Sequence, residues 1–572
     1  MTTILPSLPL APSTAGSVDD KEKASLRAPS VKDIPPLGEP LDDGSDRLFQ
    51  TINNRPLDAI ATQPSVFDDP LTLEVYRPPP QYENAHRFDP LARWTWREEK
   101  ALVRKIDWRI MVWAFLMFAS LDLDRSNISQ ANSDNLLGDL GMTTNDYNLG
   151  FMLFRLGFFC AELPSQLVSK RIGPDVWIPS QMVLWSIVSF SQFWITGKAS
   201  FFATSAIRVL LGFLQGGFIP DVVLYLSYFY TKRELPIRLA FFWVSNYLAE
   251  IVGAFMAAGI LQLRGVGGRS GWRYLFLIEG LITFLVGLVS FFMMPPGPTQ
   301  TKAWYRPNGW FTEREEIIVV NRVLRDDPTK SDMHNRQGLS PKMIFVALSD
   351  WQLWPLYLLG LTFFIPTGPP QQYMTLTLKN LGFTTIQTNL LTIPASVLGV
   401  IGLVTAAYVS EKINSRVIPT VFLQFWQLPL LIALESFTSK TSNWVYYAVV
   451  FLAVGYPYVH PVQVAWVSRN SYSVRTRTVS ASAYNMMVQA GSIVYSNIYR
   501  ANDKPLYKHG NLALIIVCVF NICFYAFTFF FYRGINRRRD AIWASMTAEE
   551  QADYLENTKD EGNRRLDFRF AY

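Results

Sequence analysis

Charged side chains stand inside a long apolar stretch of the chain, where they could bind ions or carry protons. Arg125 comes soon after twelve consecutive uncharged residues, 110–121, and is accompanied by Asp122 and Asp124. A charge at the centre of a bilayer costs about 2.5–3.5 kcal/mol on insertion scales, so it is seldom kept without a use. A guanidinium offers two donors to a carboxylate, and a carboxylate can take up and release a proton. We therefore expect a pathway for a charged solute; the alternative is a structural ion pair between Asp122 and Arg125.

Two further arginines lie in apolar stretches of the same half of the chain. Arg155 stands seven residues before Glu162, and Arg208 stands seven residues before Gln215, so each pair shares one face of a helix. Both arginines could bind substrate, although Arg208 could instead brace its helix against a neighbour. Glu162 lies near one end of its stretch, where a gating or proton-coupling contact is expected. Three arginines in one half predict a positive pocket and therefore an anionic substrate.

The second half of the chain supplies mainly uncharged polar groups to the predicted site. Gly-Pro-Pro at 368–370 and the segment 455–461 should break helices and free backbone groups, which normally line cavities. His460 could titrate near neutral pH and couple protons, or it could be a packing residue between two prolines. The candidate substrate contacts in this half are Gln371, Tyr373, Tyr456 and Asn485, with Gln372, Asn389, Tyr458 and Gln489 as further polar groups.

The elements that must position these groups are predicted to be membrane-spanning helices. Aromatic residues make up 14% of the chain and charged residues 17%, a balance that suits a lipid-facing surface. Between residues 351 and 410 the single charged side chain is Lys379, which leaves no polar face for a soluble domain. Stretches of the length that a bilayer requires are predicted at 106–128, 147–168, 176–196, 202–229, 237–262, 273–294, 352–376, 384–409, 417–437, 444–467, 479–499 and 511–532.

These stretches predict an all-α membrane protein with twelve transmembrane helices in two pseudo-symmetric six-helix bundles. Basic residues before the first span and after the last predict that both termini are cytoplasmic. The predicted divisions are a disordered cytoplasmic tail at 1–105, an N-terminal bundle at 106–296, a cytoplasmic linker with a surface helix at 297–350, a C-terminal bundle at 351–532 and a cytoplasmic tail at 533–572.

The two sets of six spans look like copies of each other. The sequence SKRIG after the second span matches SEKIN after the eighth at an offset of 241 residues. Asn246 and Glu250 in the fifth span match Asn485 and Gln489 in the eleventh at an offset of 239 residues. Parallel six-helix halves place a substrate site between them near mid-membrane, opened to each side by rocking.

Several motifs together give the chain a family resemblance. They are DRSNISQAN, ELPSQLVSKRIGPDVW, RVLLGFLQGGFIP, GWRYLFLIEG and SNIYRANDKPLYKHGN, starting at residues 124, 162, 208, 271 and 496. On these motifs the chain resembles the major facilitator superfamily and, within it, the anion:cation symporter family, especially its fungal allantoate-permease-like group. The resemblance covers about 100–535 and implies the MFS fold.

The resemblance also implies roles for particular residues. In similar symporters the arginine at the position of Arg125 binds the substrate anion, and the aspartate at the position of Asp124 takes part in proton coupling. Arg208 and Gly212 look like the superfamily's proton-coupling motif R-x-x-x-G. Many similar symporters carry a glutamate where this chain has Gln215, so coupling would fall to Asp124, Asp221 or Glu162; otherwise the protein is a uniporter. The implied substrates are allantoate-like ureido acids or carboxylated vitamins such as nicotinate, pantothenate or biotin.

Several function classes are excluded by missing motifs. The chain has no GxxxxGK[ST] sequence for a P-loop pump, and no HExxH or paired CxxC for a metalloenzyme. These missing motifs lead us to expect no enzyme activity and no cofactor. We expect no nucleic-acid partner, because the basic residues collect beside the spans and set topology. The expected partners are a small anion, protons and the lipid bilayer, for a monomer in a fungal plasma membrane. The alternatives are an exporter of an acidic secondary metabolite and a nutrient sensor that binds without transporting.

Overall fold

The computed structural model describes residues 57–61, 65–231, 234–332, 345, 348–471, 474–558 and 562–572. Within these residues the chain is helical, and pairing between extended segments is limited to the isolated bridges Ile60–Thr95 and Ala303–Arg306. The helices up to the middle of the chain are α1 (Pro70–Tyr76), α2 (Trp96–Ile106), α3 (Val112–Ala131), α4 (Leu136–Asp139), α5 (Thr144–Ile172), α6 (Pro174–Ser191), α7 (Gly197–Gln215), α8 (Phe218–Ser227), α9 (Leu235–Ile260), α10 (Gly271–Met293) and α11 (Glu313–Asp326).

The remaining helices belong to the second half of the molecule. They are α12 (Trp354–Thr362), α13 (Gly368–Asn380), α14 (Thr385–Leu390), α15 (Ile393–Lys412), α16 (Val417–Ser436), α17 (Asn443–Val454), α18 (His460–Asn470), α19 (Val474–Tyr495), α20 (Lys508–Ser545) and α21 (Ala548–Asn557). Each of the twelve predicted spans coincides with one helix or with a broken pair, the pairs being α7–α8, α12–α13, α14–α15 and α17–α18.

Among the described residues, six helices are long and apolar enough to cross a membrane. They run over Ala206–Ser227, Ile237–Leu263, Gly271–Met293, Thr385–Ser410, Val417–Ser436 and Lys508–Ser545. The first predicted span falls on α3, which is more polar because it carries Asp122, Asp124 and Arg125. The six apolar helices support the predicted membrane fold, and the more polar α3 is a helix of that fold that carries charges.

The predicted helix breaks are present, and at each of them one freed carbonyl accepts a hydrogen bond from a side-chain amide. α12 ends at Thr362 before Gly-Pro-Pro, and α17 ends at Val454 before the proline-rich segment 455–461. Gln424 on α16 donates to the carbonyl of Phe363 (3.0 Å), and Gln427 on the same helix donates to that of Ala453 (2.6 Å). Amide side chains therefore satisfy one backbone carbonyl at each break, as a bilayer setting requires of polar backbone groups.

Glycines bring helices into close contact in each half. A Cβ on Gly212 of α7 would lie 2.0 Å from the carbonyl oxygen of Phe154 on α5. A Cβ on Gly491 of α19 would lie 2.0 Å from that of Leu361 on α12. α3 packs on α9 and α10 in the first half, while α16 packs on α20 in the second. The two halves meet along α5 with α19 and along α9 with α15.

The segment before the first span differs from the expected disordered tail. Residues 65–105 contain α1 and α2, and Trp94 and Leu102 are buried. Thr95 and Glu98 form a capping box at the start of α2, which fixes where this helix begins. The prediction of disorder is wrong for these residues because their apolar side chains pack into the first half; residues 1–56 lie outside the described residues.

Polar contacts hold this segment against α11, the helix within the predicted linker. Arg87 pairs with Glu316 (2.9 Å), and Lys105 pairs with Glu315 (2.8 Å). In the second half, the last residues pack in the same manner: the backbone N–H of Phe570 donates to Oδ1 of Asn536 (2.9 Å). We call the end of the bundle that carries α2, α11 and residues 563–572 the terminal end, and the opposite end the distal end.

Candidate functional site

The guanidinium of Arg125 lies among α3, α5 and α7 of the first half, with the phenol of Tyr458 from the second half close by. Its Nε donates to Oε1 of Gln215 on α7 (3.2 Å), and Nη1 lies 3.5 Å from Oδ1 of Asp122. The ring of Phe158 on α5 lies against the guanidinium, 5.1 Å from its central carbon. Among the described residues, Nη2 has no hydrogen-bond partner although it is buried, and 20% of the side chain is exposed. Arg125 therefore keeps a donor available for an incoming carboxylate.

The two aspartates beside Arg125 point to different places. Asp122, one helical turn away, faces the same side as Arg125, and its carboxylate also lies beside Asn246 of α9. Asp124 instead turns into the first half, where its Oδ1 accepts from the hydroxyl of Ser189 on α6 (2.9 Å). Successive residues of an α-helix point about 100° apart, so Asp124 and Arg125 cannot share a face. The structure thus forms the ion pair that the sequence offered as an alternative, and it separates Asp124 from Arg125.

A second arginine reaches from the first half to the second. Arg155 on α5 donates through Nη1 to Oε1 of Gln489 on α19 (3.2 Å). Towards the terminal end, Gln166 of α5 donates to the hydroxyl of Ser482 on α19 (3.1 Å). We call this line of contacts the α5–α19 seam. It places Arg155 close enough to Arg125 for the two positive charges to repel each other.

Glu162 and Asn485 face each other within the α5–α19 seam. The carboxylate of Glu162 is buried, and the amide of Asn485 lies beside both this carboxylate and the ring of His460. The structure therefore brings together a predicted substrate contact and two predicted proton-coupling residues. They connect α5 of the first half with α18 and α19 of the second.

His460 is enclosed by aromatic rings from both halves. Its ring centroid lies 5.3 Å from that of Trp243 on α9, 5.7 Å from that of Tyr484 on α19 and 5.9 Å from that of Tyr458. Within the described residues, Nδ1 is buried and has no hydrogen-bond partner. These surroundings are typical of a packing histidine, which was the alternative considered for it.

Tyr458 occupies the middle of the site, although sequence analysis named it as a further polar group and not as a substrate contact. Its phenol lies within the electrostatic influence of Asp122, Arg125, Arg155 and Glu250. The side chain is half-buried and stands in the break between α17 and α18. The proline-rich break was the sequence signal for this position, but it could not distinguish Tyr458 from its neighbours.

The remaining predicted contacts divide between the centre and the distal end. The hydroxyl of Tyr456 donates to Oε1 of Gln371 (3.2 Å) near the centre. Tyr373 instead donates to Oδ1 of Asn148 at the distal end. Arg208 lies two helical turns from Gln215 on α7, about 10 Å along the axis, so it does not join Arg125.

A line of contact between α9 and α15 also joins the halves, and we call it the α9–α15 seam. Ser396 on α15 donates to Oε2 of Glu250 on α9 (2.9 Å). One turn along, the ring of Tyr247 fills the space beside Gly399, where an added Cβ would lie 2.4 Å from the ring. Sequence reasoning did not select Glu250; its match to Gln489 in the repeat was the one available signal.

The distal end is closed by hydrogen bonds between the halves. Thr375 of α13 donates to the carbonyl of Ser129 on α3 (2.6 Å), and Asn389 of α14 donates to the hydroxyl of Ser133 (2.8 Å). Asn148 of α5 donates to the carbonyl of Tyr499 (2.7 Å). These bonds pin α3 and α5 to the second half at their distal ends, on one side of the central arginines.

This geometry, with two helical halves meeting around a polar centre, agrees with a family model. The model of the Major Facilitator Superfamily matches residues 114–496, which extend from α3 to the end of α19. The chain belongs to the Major Facilitator Superfamily. It is therefore a membrane transporter rather than an enzyme, and transporters of this superfamily carry small substrates.

Relatives of this superfamily member are known in fungi. It is 46% identical over 493 residues to a Saccharomyces cerevisiae protein described as an uncharacterized transporter, YIL166C, with 86% of this chain and 90% of that protein covered. It is 27% identical over 452 residues to the major facilitator-type transporter hxnP of Emericella nidulans, covering 77% and 87% of the two chains. Both names agree with a transport function.

A solved structure shows the same fold. The xylose transporter XylE from E. coli, in a partially occluded inward-open conformation, is 14% identical, with a TM-score of 0.55 and coverage of 72% of this chain and 96% of that one. At this identity the likeness concerns the fold alone. The predicted twelve-helix, two-bundle architecture is confirmed at that level.

Proposed function

We propose that this chain is a secondary transporter that takes up a small organic anion together with protons. One observation carries the proposal: Arg125 and Arg155 converge on the centre between the halves, and Arg125 keeps a buried, unpartnered Nη2 there among the described residues. Two cations that lack a full set of carboxylate partners favour an anionic ligand. Charge-assisted, two-pronged binding of a carboxylate is the chemistry for which a guanidinium is best suited.

Gln215, which lies beside Arg125, also supports the proposed anion site. Its amide oxygen accepts from Arg125 without neutralising it. A glutamate at the same position would place a second carboxylate on the guanidinium and compete with the substrate. The amide therefore orients Arg125 while its positive charge stays available. The resemblance to anion:cation symporters implies allantoate-like ureido acids or carboxylated vitamins as substrates.

The closed distal end and the polar seams suit alternating access. We place the terminal end in the cytoplasm, because basic residues flank the first and last spans. The monomer is proposed to lie in the fungal plasma membrane. In this arrangement the hydrogen bonds at Ser129, Ser133 and Asn148 close the outer side of the site. Opening to the outside requires these bonds to break while the seams rock.

The proposed function is tested by uptake in yeast cells that express the protein. Radiolabelled allantoate, nicotinate, pantothenate and biotin are offered at acidic and at neutral external pH, with and without a protonophore. We expect at least one acid to accumulate faster at acidic pH and the protonophore to abolish its accumulation. Failure of all four acids to enter, or release of preloaded acid as the sole activity, would contradict proton-coupled uptake; the second result would favour export.

A further inference from the structure

We propose that Glu250 is the proton acceptor that couples proton movement to anion binding in the central site. This inference rests on the proposed function and names the residue that takes over from the missing carboxylate at Gln215. Glu250 belongs to α9, is half-buried, and accepts a hydrogen bond from Ser396 across the α9–α15 seam at 2.9 Å. It therefore lies where a change of protonation acts on the central site and on the contact between the halves.

The internal repeat relates the hydrogen bond that Glu250 accepts to the hydrogen bond that Arg155 donates. Arg155 and Ser396 are 241 residues apart, and Glu250 and Gln489 are 239 apart, which are the two offsets of the sequence repeat. The bond from Arg155 to Gln489 in one seam thus corresponds to the bond from Ser396 to Glu250 in the other. Each of these equivalent contacts has one charged member: the donor Arg155, a permanent cation, in the first seam and the acceptor Glu250, a titratable anion, in the second. The seams are alike in geometry and differ in whether their charge can change.

The charges around the centre show what protonation of Glu250 would do. Arg125 and Arg155 contribute two positive charges, while Asp122 and Glu250 contribute two negative charges when ionised. These four groups lie together around the phenol of Tyr458. A proton on Glu250 leaves one net positive charge, which a monocarboxylate neutralises. Proton and anion then bind together more favourably than either binds alone, as coupling requires.

The neighbours of Glu250 allow it to exchange a proton without breaking an ion pair. In the part of the chain that the structure describes, Glu250 accepts a hydrogen bond from the Ser396 hydroxyl, and no basic side chain lies within ion-pair distance. The titratable groups that face it are Tyr247 from its own helix α9, Asp122 from α3, and Tyr456 and Tyr458 from the break before α18. α14 has no charged residue, and α15 has charged residues only at its terminal end, Glu411 and Lys412.

Asp122 differs from Glu250 because it is committed to Arg125. Its Oδ1 lies 3.5 Å from the guanidinium, so a proton on Asp122 would break the ion pair that helps to orient Arg125.

The transport step itself involves no other chemistry. Water on the open side delivers the proton to a carboxylate oxygen of Glu250, and the same oxygen returns the proton to water after the halves rock.

The test compares Glu250→Gln with Glu435→Gln, a matched loss of a carboxylate near the distal end of α16. Purified protein in proteoliposomes is assayed with labelled allantoate, nicotinate, pantothenate and biotin in two modes: accumulation driven by a pH gradient that is acidic outside the vesicles, and exchange at equal pH. We expect Glu250→Gln to keep exchange but to lose accumulation, so that the substrate reaches equal concentrations inside and outside the vesicles. Glu435→Gln should keep both exchange and accumulation. Accumulation by Glu250→Gln that equals the wild type would overturn the inference.

A second readout does not depend on the substrate or on turnover. Infrared spectra are recorded across a pH titration, and the carbonyl band of protonated carboxyl groups is compared between variants. We expect the wild-type spectrum minus the Glu250→Gln spectrum to show one titrating carboxyl group. The Glu435→Gln protein still contains Glu250, so its own spectrum should keep this titrating group. An identical titrating band in wild type and Glu250→Gln would overturn the inference, even if that variant has also lost exchange.

The two readouts separate failure of this inference from failure of the proposed function. If none of the four acids is transported but the infrared difference is present, the uptake proposal fails and Glu250 stands as the proton acceptor. If acids accumulate with the pH gradient in wild type and in Glu250→Gln alike, proton-coupled uptake stands and Glu250 is not its coupling residue.

Discussion

The two halves of the molecule share a helical plan but bring different chemistry to the centre. The first half contributes Arg125, Arg155, Asp122 and Glu250, all of which carry formal charges. The second half contributes amides, hydroxyl groups and aromatic rings, including Gln371, Ser396, Tyr456, Tyr458, His460, Asn485 and Gln489. The scaffold repeats while the charges do not. Under the proposed function, the first half binds the charge of the substrate, and the second half shapes the site and completes the seams.

The strongest way to break this comparison is to remove the central cation from the first half. Arg125→Ala should lower the initial uptake rate by about 30-fold or more, because truncating a buried, hydrogen-bonded charge costs about 2 kcal/mol or more. Arg104→Ala, an exposed arginine on α2, is the matched control and should transport normally. Uptake by Arg125→Ala within about threefold of the wild type would show that the charge of the first half does not bind the substrate.

A sharper test adds a charge to the second half. Gln489→Glu should pair with Arg155 across the α5–α19 seam, where the present bond is 3.2 Å long. This pairing competes with the anion, so the apparent KM should rise about tenfold, in line with about 1.5 kcal/mol for a hydrogen bond to a charged group. Gln489→Ala removes the bond without adding charge and should have a smaller effect. Equal effects of the two substitutions would contradict the role given to charge.

Glycine substitutions test whether the scaffold of the halves is alike. Gly212→Ala and Gly491→Ala each place a Cβ 2.0 Å from a backbone oxygen of the neighbouring helix. Each should destabilise the protein by about 1–3 kcal/mol, as expected for overpacking. Gly259→Ala on α9 is the control, because nothing lies within 4 Å of its added Cβ. Thermal unfolding in detergent measures all three, and loss of stability in one half alone would show that the scaffolds differ.

The smallest effect is expected at the titratable ring of the second half. His460→Phe keeps an aromatic ring among Trp243, Tyr458 and Tyr484, so packing is largely retained. Uptake should change by less than about threefold, as for other volume-conserving substitutions, and its dependence on external pH should stay as in the wild type. Loss of pH dependence in this variant would assign proton coupling to the second half.

Hydropathy predicted most of the fold, because each span is a local property of the chain. The breaks before α13 and α18 were also predictable, since proline cannot continue the hydrogen bonding of a helix. The packing of residues 65–105 was missed, although the capping box formed by Thr95 and Glu98 is visible in the sequence. Its prolines and the lack of a sustained apolar period predicted disorder there, but the amphipathic α2 packs its apolar side chains into the first half.

The site was predicted less completely because neighbours in sequence do not share a helix face. Asp124 stands next to Arg125 in the chain yet bonds to Ser189, whereas Asp122 meets Arg125. The role of Glu250 depends on Ser396, which is 146 residues away, and no local pattern reveals that contact. Arg208 has the residue type of a substrate contact, but its position on α7 puts it two turns from the centre.

The most direct test of the account compares acids with their uncharged counterparts. Uptake of nicotinate, biotin and pantothenate is measured beside that of nicotinamide, biotinamide and pantothenol, in cells expressing the wild type or Arg125→Ala. The account predicts that the wild type accumulates one or more of the acids, that none of the uncharged counterparts accumulates, and that Arg125→Ala accumulates neither form. Equal accumulation of an acid and its uncharged counterpart, or acid uptake that survives Arg125→Ala, would contradict an anion site built around this guanidinium.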